Sequence, residues 1–281
     1  MSWLMFALAF WIGAWGLNAW LARSPWSGTR AVRILVPVLF GVTLIVLWEG
    51  IVRALEVSPV ILPAPSVVAQ TFANSTGLLW EDVRQTVFKG ALTGFGIGAS
   101  AAFLTAIAID RSAFLTRGLL PIGNFVAALP IVGIAPILVS WFGFDWQSKA
   151  AVVVVMVFFP ILVNTVQGLR ETDAMQRDLM RTYAAGYLQT LVKLRLPAAM
   201  PFVFNGLKIA TTLALIGAIV AEYFGSPTRG MGFRISTGVG SLSIDLVWAE
   251  IAVAALVGTT FYGIVAWIEK RVTFWHPSQR G

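Results

Sequence analysis

The chain alternates long apolar stretches with short polar ones, and seven of the apolar stretches are long enough to carry a helix across a bilayer. They run approximately from Trp3 to Leu21, Ile34 to Ile51, Gly90 to Ile109, Leu119 to Ser140, Ala150 to Leu169, Pro201 to Ala221 and Trp248 to Ile268. A hydrocarbon core of ~30 Å takes about 20 residues of helix, and a helix satisfies its own backbone where no water is available. The pattern therefore predicts an all-α membrane protein. No Lys or Arg precedes the first stretch and no convincing small-residue cleavage site follows it, so it reads as a retained span and not a signal peptide.

In the third stretch Gly90, Gly94, Gly98, Ala102 and Ala106 recur every four residues, a smooth ridge on which another helix backbone can close in. Packing within the subunit is the simpler use of that ridge; a contact between copies is the other. The fourth stretch carries Pro130 and Pro136, and the fifth carries Pro160. Each proline removes a backbone donor and crowds the preceding turn, so kinks or breaks are expected, and the freed carbonyls need a cavity or another helix beside them. A solute path lined by these two stretches is one reading, and kinked packing is the other. Polar residues in the spans are few, chiefly Glu49, Asn124, Ser140, Asn164, Lys208, Glu222 and Glu250. Lys208 is expected to snorkel to the headgroups, and Glu49 and Glu250, near span ends, to reach water similarly. Glu222 closes the sixth stretch just before the Gly-rich run from Gly225 to Gly240 and is the candidate gate, with Pro130, Pro136, Pro160 and Asn164 the other path candidates.

Composition removes other classes. With 58% hydrophobic and 12% charged residues the chain is no ordinary soluble domain. The formal charge of +7 does not point to nucleic acid, because the 20 Lys and Arg fall between apolar stretches without clustering; anionic lipid and cytoplasmic retention explain them. Alternate loops of the seven-span arrangement carry thirteen basic residues on one side and six on the other. The positive-inside rule then puts the N-terminus outside, the C-terminus in the cytoplasm, and the segment from Glu171 to Pro197 in the cytoplasm. The chain has no Cys, which excludes disulfides and thiolate chemistry, and its one His, His276, reads as an interfacial ring beside Trp275.

No P-loop, zinc-type His pair, nucleophile elbow or dinucleotide fingerprint is present, so no catalytic constellation and no cofactor of the chain's own is expected. Uphill transport would draw on a gradient or on a separate ATPase. The span midplanes hold no Asp or Glu and no clear internal repeat is visible, which weakens the alternative of a gradient-driven secondary transporter or channel. A membrane-bound enzyme would need reactive side chains clustered at one interface. A separate ATPase would need a cytoplasmic docking element, and the loop between the fifth and sixth stretches, with a helical portion from about Ala174 to Leu194, is the long one on that side.

In that loop, apolar and polar residues from Asp178 to Pro197 mix as in two short amphipathic helices suited to a protein groove. The segment resembles the EAA loop of ATP-binding-cassette (ABC) importer permeases: Glu-Ala-Ala, three residues, Gly, nine residues, then an apolar residue, any residue and Leu-Pro. Asp178 falls on the Glu position, Leu179 and Met180 on the Ala positions, Ala184 on the Gly position, and Leu194, Leu196 and Pro197 on the closing positions. With Ala at 184 the bend between the short helices is expected from elsewhere, with Gly186 as the candidate. Further matches follow in order: Leu62-Pro63-Ala64-Pro65-Ser66, Phe159 to Thr165, Asn205 to Ile209, and Ala221-Glu222 resemble the nitrate, sulfonate and taurine branch of these permeases.

The resemblance implies a type I ABC importer transmembrane domain: a six-helix core over 31–281, with the coupling loop at about 171–197, preceded by one extra N-terminal transmembrane helix and loop over 1–30. It implies a bacterial inner-membrane permease that works as a dimer, docks two ATPase subunits and receives solute from a periplasmic or lipid-anchored binding protein, ATP being bound by the ATPase. Asp178, Thr182, Ala184, Gly186, Leu194, Leu196 and Pro197 would carry the coupling. The implied solutes are nitrate, sulfonate or taurine-like anions and heterocyclic vitamin precursors, and the run from Gly230 to Ile235 with the tail from Phe274 to Pro277 resembles the pyrimidine and riboflavin members more than the taurine type.

Overall fold

The computed structural model describes residues 2–112, 114–115, 117–118, 121, 123, 129–226 and 228–276. Among them six helices are long and apolar enough to cross a membrane: Trp3–Arg23, Arg30–Ala54, Thr76–Arg111, Trp146–Arg170, Tyr187–Gly225 and Ile244–Val272. Ile131–Phe142 is a shorter apolar helix. It is the end of the fourth predicted span, whose earlier part, Asn124 included, lies mostly outside the described residues.

In chain order the helices are α1 (Ser2–Arg23), α2 (Arg30–Ala54), α3 (Pro65–Asn74), α4 (Thr76–Val83), α5 (Leu92–Arg111), α6 (Ile131–Phe142), α7 (Trp146–Arg170), α8 (Ala174–Thr182), α9 (Tyr187–Thr190), α10 (Leu196–Gly225), α11 (Met231–Gly240) and α12 (Ile244–Val272). Two π-helical segments, Arg84–Ala91 and Leu191–Arg195, join α4 to α5 and α9 to α10. The second joint has a covalent reason. Pro197 lacks an N–H and its ring would crowd the carbonyl four residues back, so the chain widens one turn and stays helical.

The chain divides into two compact units, one built from the described residues of Met1–Gly77 and Thr237–Ile251, the other from those of Leu78–Ser236 and Ala252–Gly281. In the first, Glu49 accepts hydrogen bonds from the Ser66 backbone N–H (2.9 Å) and hydroxyl (2.7 Å) and pairs with Arg53. The carboxylate thus caps α3 just behind Pro65, where a helix start favours negative charge. That accounts physically for the Pro65-Ser66 end of the Leu-Pro-Ala-Pro-Ser stretch. Trp48 and Trp248 pack at 4.8 Å in the same unit.

In the second unit the small-residue ridge is spent on internal packing. A side chain at Gly94 or Gly98 would run into Val153 or Val157 of α7, and Ala102 and Ala106 are fully buried. The core continues through Ile161, Leu162, Val166 and Leu169 of α7 to Ala199, Ala210, Ala214 and Ala218 of α10. Pro37, Pro136, Pro160 and Pro201 lie inside helices, whereas Pro130 stands at the N-cap of α6 in extended backbone, a break instead of a kink.

Two expectations for the polar residues fail. Lys208 does not snorkel; its ammonium lies 2.7 Å from Glu269 of α12, an ion pair inside the helix bundle. Glu250 does not reach water but is fully buried, because α12 begins at Ile244 and places it almost two turns into the helix.

Candidate functional site

The candidate coupling segment starts at α8. The Asp173 N–H donates to Gln176 Oε1 at 3.2 Å, which secures the first turn. No residue of α8 is buried. Met175, Leu179 and Tyr183 recur every four residues and are 78%, 55% and 76% exposed, and Leu188 and Val192 beyond the turn are exposed as well. The helix thus turns an apolar face away from its own protein. Asp178 accepts from Arg181 at 3.1 Å, and the Thr182 hydroxyl donates back to the Asp178 carbonyl at 3.0 Å, so both serve the helix itself.

The bend that follows departs from the sequence expectation. Ala184 itself takes the left-handed conformation, φ +53°, while Gly186 is extended at φ −72° and caps α9. Ala185 N–H reaches the Met180 carbonyl at 3.0 Å and Ala184 N–H the Arg181 carbonyl at 2.8 Å, the paired bonds of a Schellman ending. An alanine Cβ in this region crowds the following carbonyl at a cost of about 1–2 kcal/mol, which these bonds offset. Ala184→Gly is therefore expected to stabilise the turn by about 1 kcal/mol, seen as slower hydrogen exchange over residues 180–188.

Beyond the turn the segment is bolted to the bundle. Arg195 reaches Asp110, at the end of α5, at 2.6 Å and donates to the Leu169 carbonyl of α7 at 3.1 Å. The Tyr187 hydroxyl donates to the same Asp110 carboxylate at 3.1 Å, and the Arg111 guanidinium lies 5.4 Å from the Tyr187 ring centre. Leu194, Leu196 and Pro197 are half-buried at the base of α10, with Leu196 against the core. Asp110, Tyr187 and Arg195 escaped the sequence reading because Asp110 is far from the other two in sequence and no periodicity joins them.

The path candidates do not converge on one place. Asn164 donates to the Pro160 carbonyl at 2.8 Å and accepts from Asn205 of α10 at 3.0 Å. Glu222 sits seventeen residues beyond Asn205 along the same helix, about 26 Å away. There α6 packs through Ala135 and Leu138 against Val152 and Ala221, so Pro136 belongs with Glu222 and Pro160 with Asn164.

Around Glu222 the structure assembles a network that sequence did not reveal. The carboxylate is fully buried and accepts from the Thr86 hydroxyl at 2.6 Å and the Gly232 N–H at 3.2 Å. Thr86 in turn accepts from the Met231 N–H at 2.8 Å. Asp82 accepts from the Gly230 N–H at 2.7 Å and from Arg234 at 2.8 Å. Lys149, also buried, donates to the Gly225 carbonyl at 2.7 Å, the negative C-terminal end of α10. Gly230 has φ +112° and a side chain there would overlap the Glu222 carboxyl, so glycine is required. The network fixes the segment after α10 to the joint between α4 and α5.

Residues 94–274 match the family described as binding-protein-dependent transport system inner membrane component, over more than half of the chain. The chain belongs to this family. It is thus a transmembrane permease subunit of an ABC importer. The permease is 32% identical to a probable ABC transporter permease protein of Haemophilus influenzae, over 85% of its own length and 97% of the relative's. It is 31% identical to the formylaminopyrimidine transport permease protein of Halalkalibacterium halodurans (89% and 99% covered) and 30% identical to the riboflavin transport system permease protein of Chloroflexus aurantiacus (84% and 88%). The family brings an ATPase subunit and a substrate-binding protein as partners of the permease, and a cell membrane as its place.

Proposed function

We propose that the permease is driven through residues 174–195, which dock a separate ATPase subunit, and that it carries no catalytic site or ATP site of its own. The observation behind this is the apolar face of Met175, Leu179 and Tyr183, turned outward on a helix with nothing buried. An apolar face in water is a docking surface, and the Arg195–Asp110–Tyr187 cluster supplies a rigid link from it to α5, α7 and α10. Asp178, Thr182 and Ala184 shape that helix and its turn, Gly186 caps the next, and Leu194, Leu196 and Pro197 root it in the bundle. In this reading the segment is cytoplasmic, the N-terminus is external, the protein sits in a bacterial inner membrane, two copies pair, and an external binding protein delivers solute near the Glu222 end.

The substrate class we propose is a heterocyclic vitamin precursor. Relatives named for formylaminopyrimidine and riboflavin transport, at 31% and 30% identity, support it, against 29% for the putative aliphatic sulfonates permease of Bacillus subtilis and 26% for the taurine permease of Escherichia coli. The chemistry agrees: the polar groups beside Pro160 are the neutral amides of Asn164 and Asn205, and Lys208 is already neutralised by Glu269. Paired amides suit the donor and acceptor edges of a heterocycle.

The absence of native Cys allows a direct test. Leu179→Cys or Tyr183→Cys is expected to cross-link to the ATPase subunit in membranes, whereas Trp141→Cys, equally exposed on α6, is not. Cross-linking from Trp141→Cys alone would move the docking face elsewhere.

A further inference from the structure

Between α1 and α2 runs a cleft of about 540 Å³, with Trp11, Asn18 and Arg23 on one wall and Pro37 and Phe40 on the other. Its length decides what fits. Trp11 and Arg23 are twelve residues apart on one helix, about 18 Å. Half of a bilayer's hydrocarbon core is about 15 Å, so the cleft spans one leaflet from the surface at Arg23 to near the midplane at Trp11. An acyl chain has those dimensions.

The ends of the cleft carry the second argument. Arg23 lines the cleft, Arg30 and Arg33 lie in the first turn of α2 just after the short loop that follows Arg23, and the first carboxylate in the chain is Glu49, which is taken up by Arg53 and Ser66. Arg23 makes no ion pair among the described residues. Five residues deeper, about 7–8 Å, the Asn18 amide oxygen is buried without a hydrogen-bond partner among the described residues. An amide can also turn its NH2 to that point, which offers a lipid ester carbonyl a donor at the depth where esters lie below phosphates.

We propose that this cleft is a binding site for one anionic phospholipid, its phosphate on Arg23, an ester on Asn18 and an acyl chain against Trp11 and Phe40. Phosphate charge meets the Arg23 guanidinium in the cleft, with the charges of Arg30 and Arg33 on the adjoining turn of α2 and no ion pair to any of the three among the described residues, whereas a choline headgroup would bring a further cation to them. A second copy's apolar helix would leave both Arg23 and Asn18 unused.

The test is native mass spectrometry of the full chain in detergent, with phosphatidylglycerol or phosphatidylcholine of identical chains added in equal amounts. One retained phosphatidylglycerol, with clearly less phosphatidylcholine, is expected. Arg23→Gln should lower that retention about fivefold, the effect of one basic group at a membrane surface, while Arg30→Gln, outside the cleft, leaves more of it. Ala19→Trp, which fills the cleft, should abolish it in a chain still helical by circular dichroism. Equal retention of the two lipids, or undiminished retention by Arg23→Gln, would overturn the site. An Ala19→Trp chain that keeps its lipid but turns from dimer to monomer would assign the cleft to a second copy and overturn it equally.

Discussion

Arg195→Met is expected to destabilise the permease by about 3–5 kcal/mol and to abolish ATP-driven uptake. Asp110, only 4% exposed at its side chain, would keep its charge and lose its cation, and the Leu169 carbonyl would lose its donor. Removing one partner of a buried pair costs more than removing both, since the cost is that of the stranded charge. The double substitution Arg195→Met with Asp110→Leu should therefore recover most of the melting temperature. Uptake should not recover with it, because the rigid link between the 174–195 segment and α5 stays broken. Melting curves and proteoliposome uptake on the two variants separate these effects. A double variant that transports normally would reduce the cluster to a fold-stabilising role.

Glu222→Leu is expected to release the segment after α10. It strands the Thr86 hydroxyl and the Gly232 N–H, each at about 1–3 kcal/mol. Glu222→Gln keeps an acceptor for one or both donors and should be milder. Hydrogen exchange over residues 228–240 reads the result: fast exchange in the Leu variant and near-native protection in the Gln variant. Native protection in both would mean that Asp82, through Gly230 and Arg234, holds the segment alone.

What the sequence made legible was what repeats. Spans follow from apolar length, and the Gly90 to Ala106 ridge follows from its spacing of four, which the structure spends on α7. The candidate coupling segment was singled out by its pattern, and the structure shows the apolar residues 175, 179 and 183 exposed on it. Pairings across distance were not legible. Asp110 with Arg195, Thr86 with Glu222, and Asp82 with Arg234 join residues 85, 136 and 152 positions apart, and no local period announces them. Lys208 and Glu250 failed for a related reason: each was judged by its distance from a span end, when the helix start at Ile244 and the carboxylate of Glu269 decided their surroundings. The turn at Ala184 shows a third limit, since backbone φ is set by the hydrogen bonds that close the helix and not by which residue favours it most.

The central claim, that ATP hydrolysis reaches this permease through the apolar face of residues 175–183, is tested most directly by reconstituting it with its ATPase and binding protein and measuring ATP-driven uptake in a Leu179→Asp/Tyr183→Asp variant. Both positions are exposed, so the fold should be untouched and the melting temperature unchanged. The account predicts that uptake falls to background and that the ATPase no longer copurifies. Normal uptake by the folded variant would contradict it.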